Sequence, residues 1–117
     1  MEQKYLHLIG LGNAEDWQAG RGSIYYIEDR NGEKAVPVFT APEKAEQYIR
    51  ANFGAPTAHM DMLESVPESH VRALTEGRFV VMPLETEGVA RAAAMAGADY
   101  LIRDPRPGGE QEILRLT

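Results

Sequence analysis

Apolar positions follow two rhythms along this chain. Between Lys4 and Leu11 they alternate. Leu6 and Leu8 fall on one side, and Tyr5, His7 and Ile9 on the other, which predicts a strand. From Ala41 the period lengthens. Ala41, Ala45, Tyr48, Ile49 and Phe53 make one apolar helical stripe, and Glu43, Lys44, Glu46, Gln47 and Arg50 make the opposite polar face. Thr40-x-x-Glu43 reads as a capping box before this helix, and Gly54 suits the left-handed position after it. Ala35 to Gly54 is therefore a strand, a polar turn, an amphipathic helix and a glycine stop.

The same grammar recurs twice. Ala58 to Glu64 is a strand, Ser65-x-Pro67-Glu68 a cap, and Val71, Ala73 and Leu74 the inner side of a helix stopped at Gly77. Phe79 to Leu84 is a strand, and Thr86 caps a helix whose inner side uses Val89, Ala92, Ala93 and Ala96 before Gly97. Tyr100 to Arg103 and Ile113 to Leu116 form a closing hairpin across the rigid turn Asp104 to Gly109.

Ahead of these units, Asn13 to Gly22 reads as a loop with one helical turn, in which Trp17 caps the edge of the core. Ser23 to Thr40 reads as a hairpin around Asn31-Gly32, the favoured pair for a two-residue type I′ turn. That turn sets Arg30 against Glu33, Asp29 against Lys34, Ile27 against Val36 and Tyr25 against Val38. Both faces are apolar, so the sheet is covered on both sides or meets a second subunit. Pro37 lacks a ladder donor, which predicts an edge or a bulge. The element order is βββαβαβαββ. The expectation is one α/β domain over residues 1–117, at the border of α+β, with a single mixed sheet and about three short helices.

Composition narrows the function classes. At 117 residues the chain suits one domain and has no cysteine, which removes disulfides, thiolate metal sites and cysteine nucleophiles. The net charge is −6 and the 12 lysines and arginines form no stripe, so no nucleic-acid partner is expected. No run approaches the roughly 20 apolar residues of a membrane span, and MEQKYLHLIGLGN is too polar at its head for a signal peptide. A cytoplasmic location is expected.

Candidate chemistry is sparse. Gly10-Leu11-Gly12 begins like a dinucleotide fingerprint, but Glu15 stands at the third glycine, and no cofactor is expected. There is no G-x-S-x-G elbow or P-loop, and Ser23, Ser65 and Ser69 have no neighbouring base. No residue is nominated as catalytic. His7, His59 and His70 form no i, i+4 pair; His59 with Asp61 and Glu64 could begin a metal site, which is the basis of an alternative reading as a small metal-dependent hydrolase. Met60, Met62, Met82 and Met95 read as core. Ligands of open α/β sheets bind beyond the carboxyl ends of strands, near helix N-termini. That rule nominates Thr40, Ser65 and Thr86 as ligand-binding residues.

Two segments carry a resemblance. Val36-Pro37-Val38-Phe39-Thr40 followed by Ala41-Pro42-Glu43-Lys44-Ala45 resembles the "PVFTS-PE-A" strand and helix of SseB-like amino-terminal domains. Ala98 to Pro105 with Gly108 and Gly109 is similar to that family's late "G-L-V-hydrophobic-N-P-G" segment, with Asp104 where asparagine is usual. The resemblance implies a small bacterial α/β domain with no established enzymatic activity, and it carries over no catalytic residues. The sequence is read as a binding or protein-interaction module, with a structural homodimer as a further alternative.

Overall fold

The computed structural model describes residues 4–29, 31–53, 67–105 and 112–116. Its elements in chain order are β1 (Tyr5–Leu11), α1 (Ala14–Gln18), β2 (Ser23–Ile24), β3 (Ile27–Glu28), β4 (Lys34–Val38), α2 (Pro42–Phe53), α3 (Glu68–Thr75), β5 (Phe79–Glu85), α4 (Thr86–Met95), β6 (Tyr100–Arg103) and β7 (Glu112–Arg115). The mixed class is as expected. The expected strand at 58–64 lies outside the described residues. The loop after β1 holds a five-residue helix, because Asn13 and Asp16 form a capping box: each side chain accepts from the other's backbone N–H, at 2.9 and 3.0 Å.

The single mixed sheet is corrected to two. One has the order β2-β1-β5 and the other β3-β4-β6-β7, with β4 and β6 parallel and the other pairs antiparallel. A bridge joins them, in which His7 and Phe39 exchange both backbone bonds at 2.8 and 2.9 Å. Beyond this bridge β1 and β4 diverge. The segment Ser23–Glu28 enters the fork, pairing first with β1 at Gly10 and Leu11, then with β4 at Lys34 and Ala35. What reads as one strand is therefore two short ones serving different sheets.

The fork explains Pro37. Phe39 aims its N–H and C=O at β1, and residues two apart on a strand aim the same way. Pro37 lies between Ala35, which pairs with β3, and Phe39, which bridges to β1. Its missing donor faces the place where one partner strand ends and the next begins. The strand is central, and neither an edge nor a bulge is needed.

The hairpin register slips by one residue from the expected one. Ile27 faces Ala35 and Glu28 faces Lys34. Asp29 is the cause. Its carboxylate accepts from the N–H groups of Asn31 (2.8 Å) and Glu33 (3.0 Å), and its C=O accepts from Gly32, which sits at φ 78°. The loop gains a third residue, and every side chain on one arm changes face. Val36 and Val38 then join Leu6, Leu8 and Leu101 under Val89 and Ala93 of α4. The opposite core gathers Ile9, Leu11, Tyr25, Ile27 and Phe39 under Ala45, Tyr48 and Ile49 of α2 and Ala73 and Leu74 of α3. Both faces are covered, as the apolar pattern requires. Ala96 and Met95 correct the expected core, since Ala96 is exposed and Met95 is 84% exposed.

Trp17 does sit at the core edge, on two glycines. A Cβ on Gly22 would lie 2.3 Å from the indole, and one on Gly10 would lie 2.7 Å from it and 2.9 Å from Met82. Gly22→Ala is therefore expected to cost about 1–3 kcal/mol by overpacking, with a shift in Trp17 fluorescence. Gly88, in α4, meets nothing within 4 Å, so Gly88→Ala should gain roughly 0.5–1 kcal/mol from helix propensity. Urea unfolding of both variants checks the pair. Equal effects would mean that the indole does not rest on Gly22.

Candidate functional site

The parallel strands β4 and β6 end together, and their continuations are tied by one carboxylate. Asp104 follows β6 in the left-handed region at φ 45°, a conformation that aspartate and asparagine tolerate better than most residues. It accepts from the Thr40 N–H (2.9 Å), the Thr40 hydroxyl (2.9 Å) and the Lys44 ammonium (3.2 Å), which also donates to the Thr40 hydroxyl (3.0 Å). Burial raises the Asp104 pKa, but the donors from Thr40 and the charge of Lys44 outweigh it and hold the carboxyl below its usual range.

Beside this staple lies a cavity of about 320 Å³. Phe39, Tyr48, Ala51 and Pro105 supply apolar wall, and Lys44, Gln47 and Asp104 supply polar rim. Lys44, Gln47, Tyr48 and Ala51 follow one another along α2 at helical spacing, next to its buried stripe. The Tyr48 hydroxyl is 2.9 Å from that of Tyr25, and burial pushes its pKa well up, so it is a neutral phenol. An ionised carboxylate already held by three donors and a neutral phenol do not make an acid–base pair. Among the described lining residues there is no activated nucleophile.

The nominated residues separate. Thr40 is bonded through its hydroxyl to Asp104 and is not itself a lining residue of this cavity. Thr86 is the first residue of α4 and not its cap: Glu85 is the N-cap, without a side-chain bond, and the Thr86 N–H donates to the Lys4 carbonyl at 3.1 Å. Thr40 and Thr86 share one end of the strands, but α2 and α4 pack on opposite faces and the two do not form one groove. Ser65, His59, Asp61 and Glu64 lie outside the described residues. Among the described residues no three His, Asp or Glu side chains gather as a metal site, and no helix is long and apolar enough to cross a membrane.

A second concavity, of about 410 Å³, collects residues that sequence spacing keeps apart. Ser23, Ser69 and His70 line it with Asp16, Arg21 and Arg78. His70 is buried, and its ring meets Tyr26 edge-on at 4.6 Å. Burial pushes its pKa down; the Tyr26 backbone pulls the other way, and the Lys34 charge adds to the depression. Asp16 is held by Asn13 and Arg21, and no bond joins it to His70 among the described residues. The serines and histidine are thus a lining, without a charge relay. Searches against protein-family models and against curated proteins find no match to this chain.

The Asp104 staple gives a pH-dependent prediction. A carboxyl whose folded pKa is depressed contributes stability above its unfolded pKa, about 3.9, and loses it as pH falls through the folded value. Asp104→Asn keeps an acceptor and suits the left-handed backbone, but removes the charge. It should cost about 1–2 kcal/mol at pH 7 and progressively less below about pH 4. Chemical unfolding at pH 7 and pH 3 measures both values. A constant gap would show that the charge plays no part.

Proposed function

We propose that this chain is a small binding module and that the cavity over Tyr48 receives an apolar side chain of a partner protein. The observation that carries this reading is an apolar wall formed by Phe39, Ala51 and Pro105 beside polar groups that already satisfy one another. Such a site gains affinity from burial and offers little to a reaction. Lys44, half-exposed at the rim, favours a partner with an acidic residue beside its apolar anchor. The SseB-like reading fits the same picture. Its two segments become the neighbouring parallel strands β4 and β6, and Asp104, where asparagine is usual, occupies a left-handed position. Peptides selected from a random displayed library against the chain should share an apolar anchor. They should lose at least tenfold in affinity for Ala51→Arg and bind Met95→Arg unchanged. Selected peptides that ignore Ala51→Arg would sink the proposal.

Self-association is a second reading, favoured by one observation. The strand β7 borders its sheet and leaves Ile113 52% and Leu114 44% exposed, on opposite faces. A dimer through this strand should appear in light scattering at micromolar concentration and dissociate in Ile113→Lys. A monomer under those conditions removes the reading.

A further inference from the structure

The second concavity differs from the first in the state of its polar groups. It opens where β1 ends, bordered by the α1–β2 connection and the first turn of α3. Two guanidinium groups and one carboxylate line it, Arg21 and Arg78 against Asp16. The Asp16–Arg21 contacts are long, 3.3 and 3.4 Å, and the Arg21 side chain is 67% exposed. Arg78 donates from two nitrogens to one Glu76 carboxylate oxygen, at 2.8 and 2.9 Å, and remains 47% exposed. Neither cation is enclosed by its partner, so each keeps donors for another oxygen. The lining as a whole carries excess positive charge although the chain is acidic.

The hydrogen-bonding groups are equally open. Ser23 and Ser69 line the concavity and are exposed, so their hydroxyls are accessible from it. The helix α3 has eight residues and begins after Pro67, which makes no side-chain cap; Ser69 and His70 lie in its first turn. His70 supplies the independent observation. It is only 8% exposed, and its Nδ1 is buried with no hydrogen-bond partner. A buried polar atom without a partner costs about 1–3 kcal/mol, and this one belongs to a residue lining the cavity. Gly12, also in the lining, holds φ 109° and brings its backbone to the site without a side chain.

A planar carboxylate is satisfied by one fork of an arginine. Here two arginines on separate segments, two serines and a histidine line one concavity, a donor set that suits a tetrahedral oxyanion. We propose that this cavity binds a phosphate group, free or as the monoester of a small molecule, with Arg21 and Arg78 as its charge partners and Ser23, Ser69 and His70 Nδ1 as hydrogen-bonding groups. This site is separate from the cavity over Tyr48 and does not rest on the reading given to it.

The test is a titration of the whole ¹⁵N-labelled chain with inorganic phosphate, with sodium chloride adjusted to hold ionic strength constant. Saturable shifts are expected at the amides of Gly12, Ser69 and His70 and in the His70 ring resonances. Arg78→Ala and Arg21→Ala should each weaken binding at least tenfold, and Ser69→Ala a few-fold. Arg50→Ala, on the exposed side of α2, should leave it unchanged. A parallel titration with glycerol phosphate separates the sources. Binding of the ester as tightly as the ion or more so assigns a phosphorylated metabolite, and binding of the ion alone assigns free phosphate; both support the proposal. Linear, non-saturating shifts, or equal binding by the folded Arg21→Ala/Arg78→Ala variant, would overturn it.

Discussion

The structure depends on the backbone bridge between His7 and Phe39. It is the point at which β1 and β4 touch before they part, and each strand is otherwise committed to a different sheet. A two-sheet fold normally needs a second layer of its own. Here a fork does the same work, because Ser23–Glu28 enters it and satisfies β1 with its first half and β4 with its second. Tyr25 lies where the partner changes. Its N–H donates to Ile9 at 3.0 Å, its ring is buried, and its hydroxyl reaches Tyr48 on α2. The same fork leaves a gap opposite Pro37 that a proline alone can occupy without losing a hydrogen bond. The wedge, the tyrosine pair and the central proline are consequences of one divergence.

Local signals read well because they depend on local chemistry. The alternation of β1, the amphipathic stripe of α2, the glycine stops at Gly77 and Gly97 and the closing hairpin all correspond to elements of the structure. Errors arose where one polar side chain outweighed a local preference. Asn31-Gly32 favours a two-residue turn, but the Asp29 carboxylate collects two backbone donors and lengthens the loop. The small helix α1 had a visible signal in Asn13-x-x-Asp16, the spacing of a capping box. Threonine commonly caps a helix, which points to Thr86, but α4 begins one residue earlier than that requires, with Glu85 as its N-cap. The division into two sheets was not visible, since it turns on one bridge between residues 32 apart.

The candidate sites were legible in part. The end-of-strand rule led to Thr40, whose hydroxyl bonds Asp104, a residue of the cavity lining. Its partner Asp104 is 64 residues distant, and that contact follows from β4 and β6 being adjacent and parallel. No spacing within the sequence encodes it. The second concavity was less visible still. Ser23 and Ser69 lacked a neighbouring base in sequence, yet the pairing of β2 with β1 and the packing of α3 on that face carry them to His70 and two arginines.

The two cavities also differ in a way that volume does not express. Around Asp104 the Thr40 N–H, the Thr40 hydroxyl and the Lys44 ammonium are all engaged, and the network joins β6 to the start of α2. A ligand there would have to break those bonds or ignore them, so the site's free energy lies in its apolar wall. Around His70 the balance is reversed. The buried His70 Nδ1 has no partner among the described residues, the Arg21–Asp16 contacts are long, and Arg78 stays half-exposed beside Glu76. A folded chain tolerates such groups where water or a ligand completes them. The two concavities therefore differ in kind: the first is closed by its own network, and the second leaves exposed cations and one unpaired buried nitrogen.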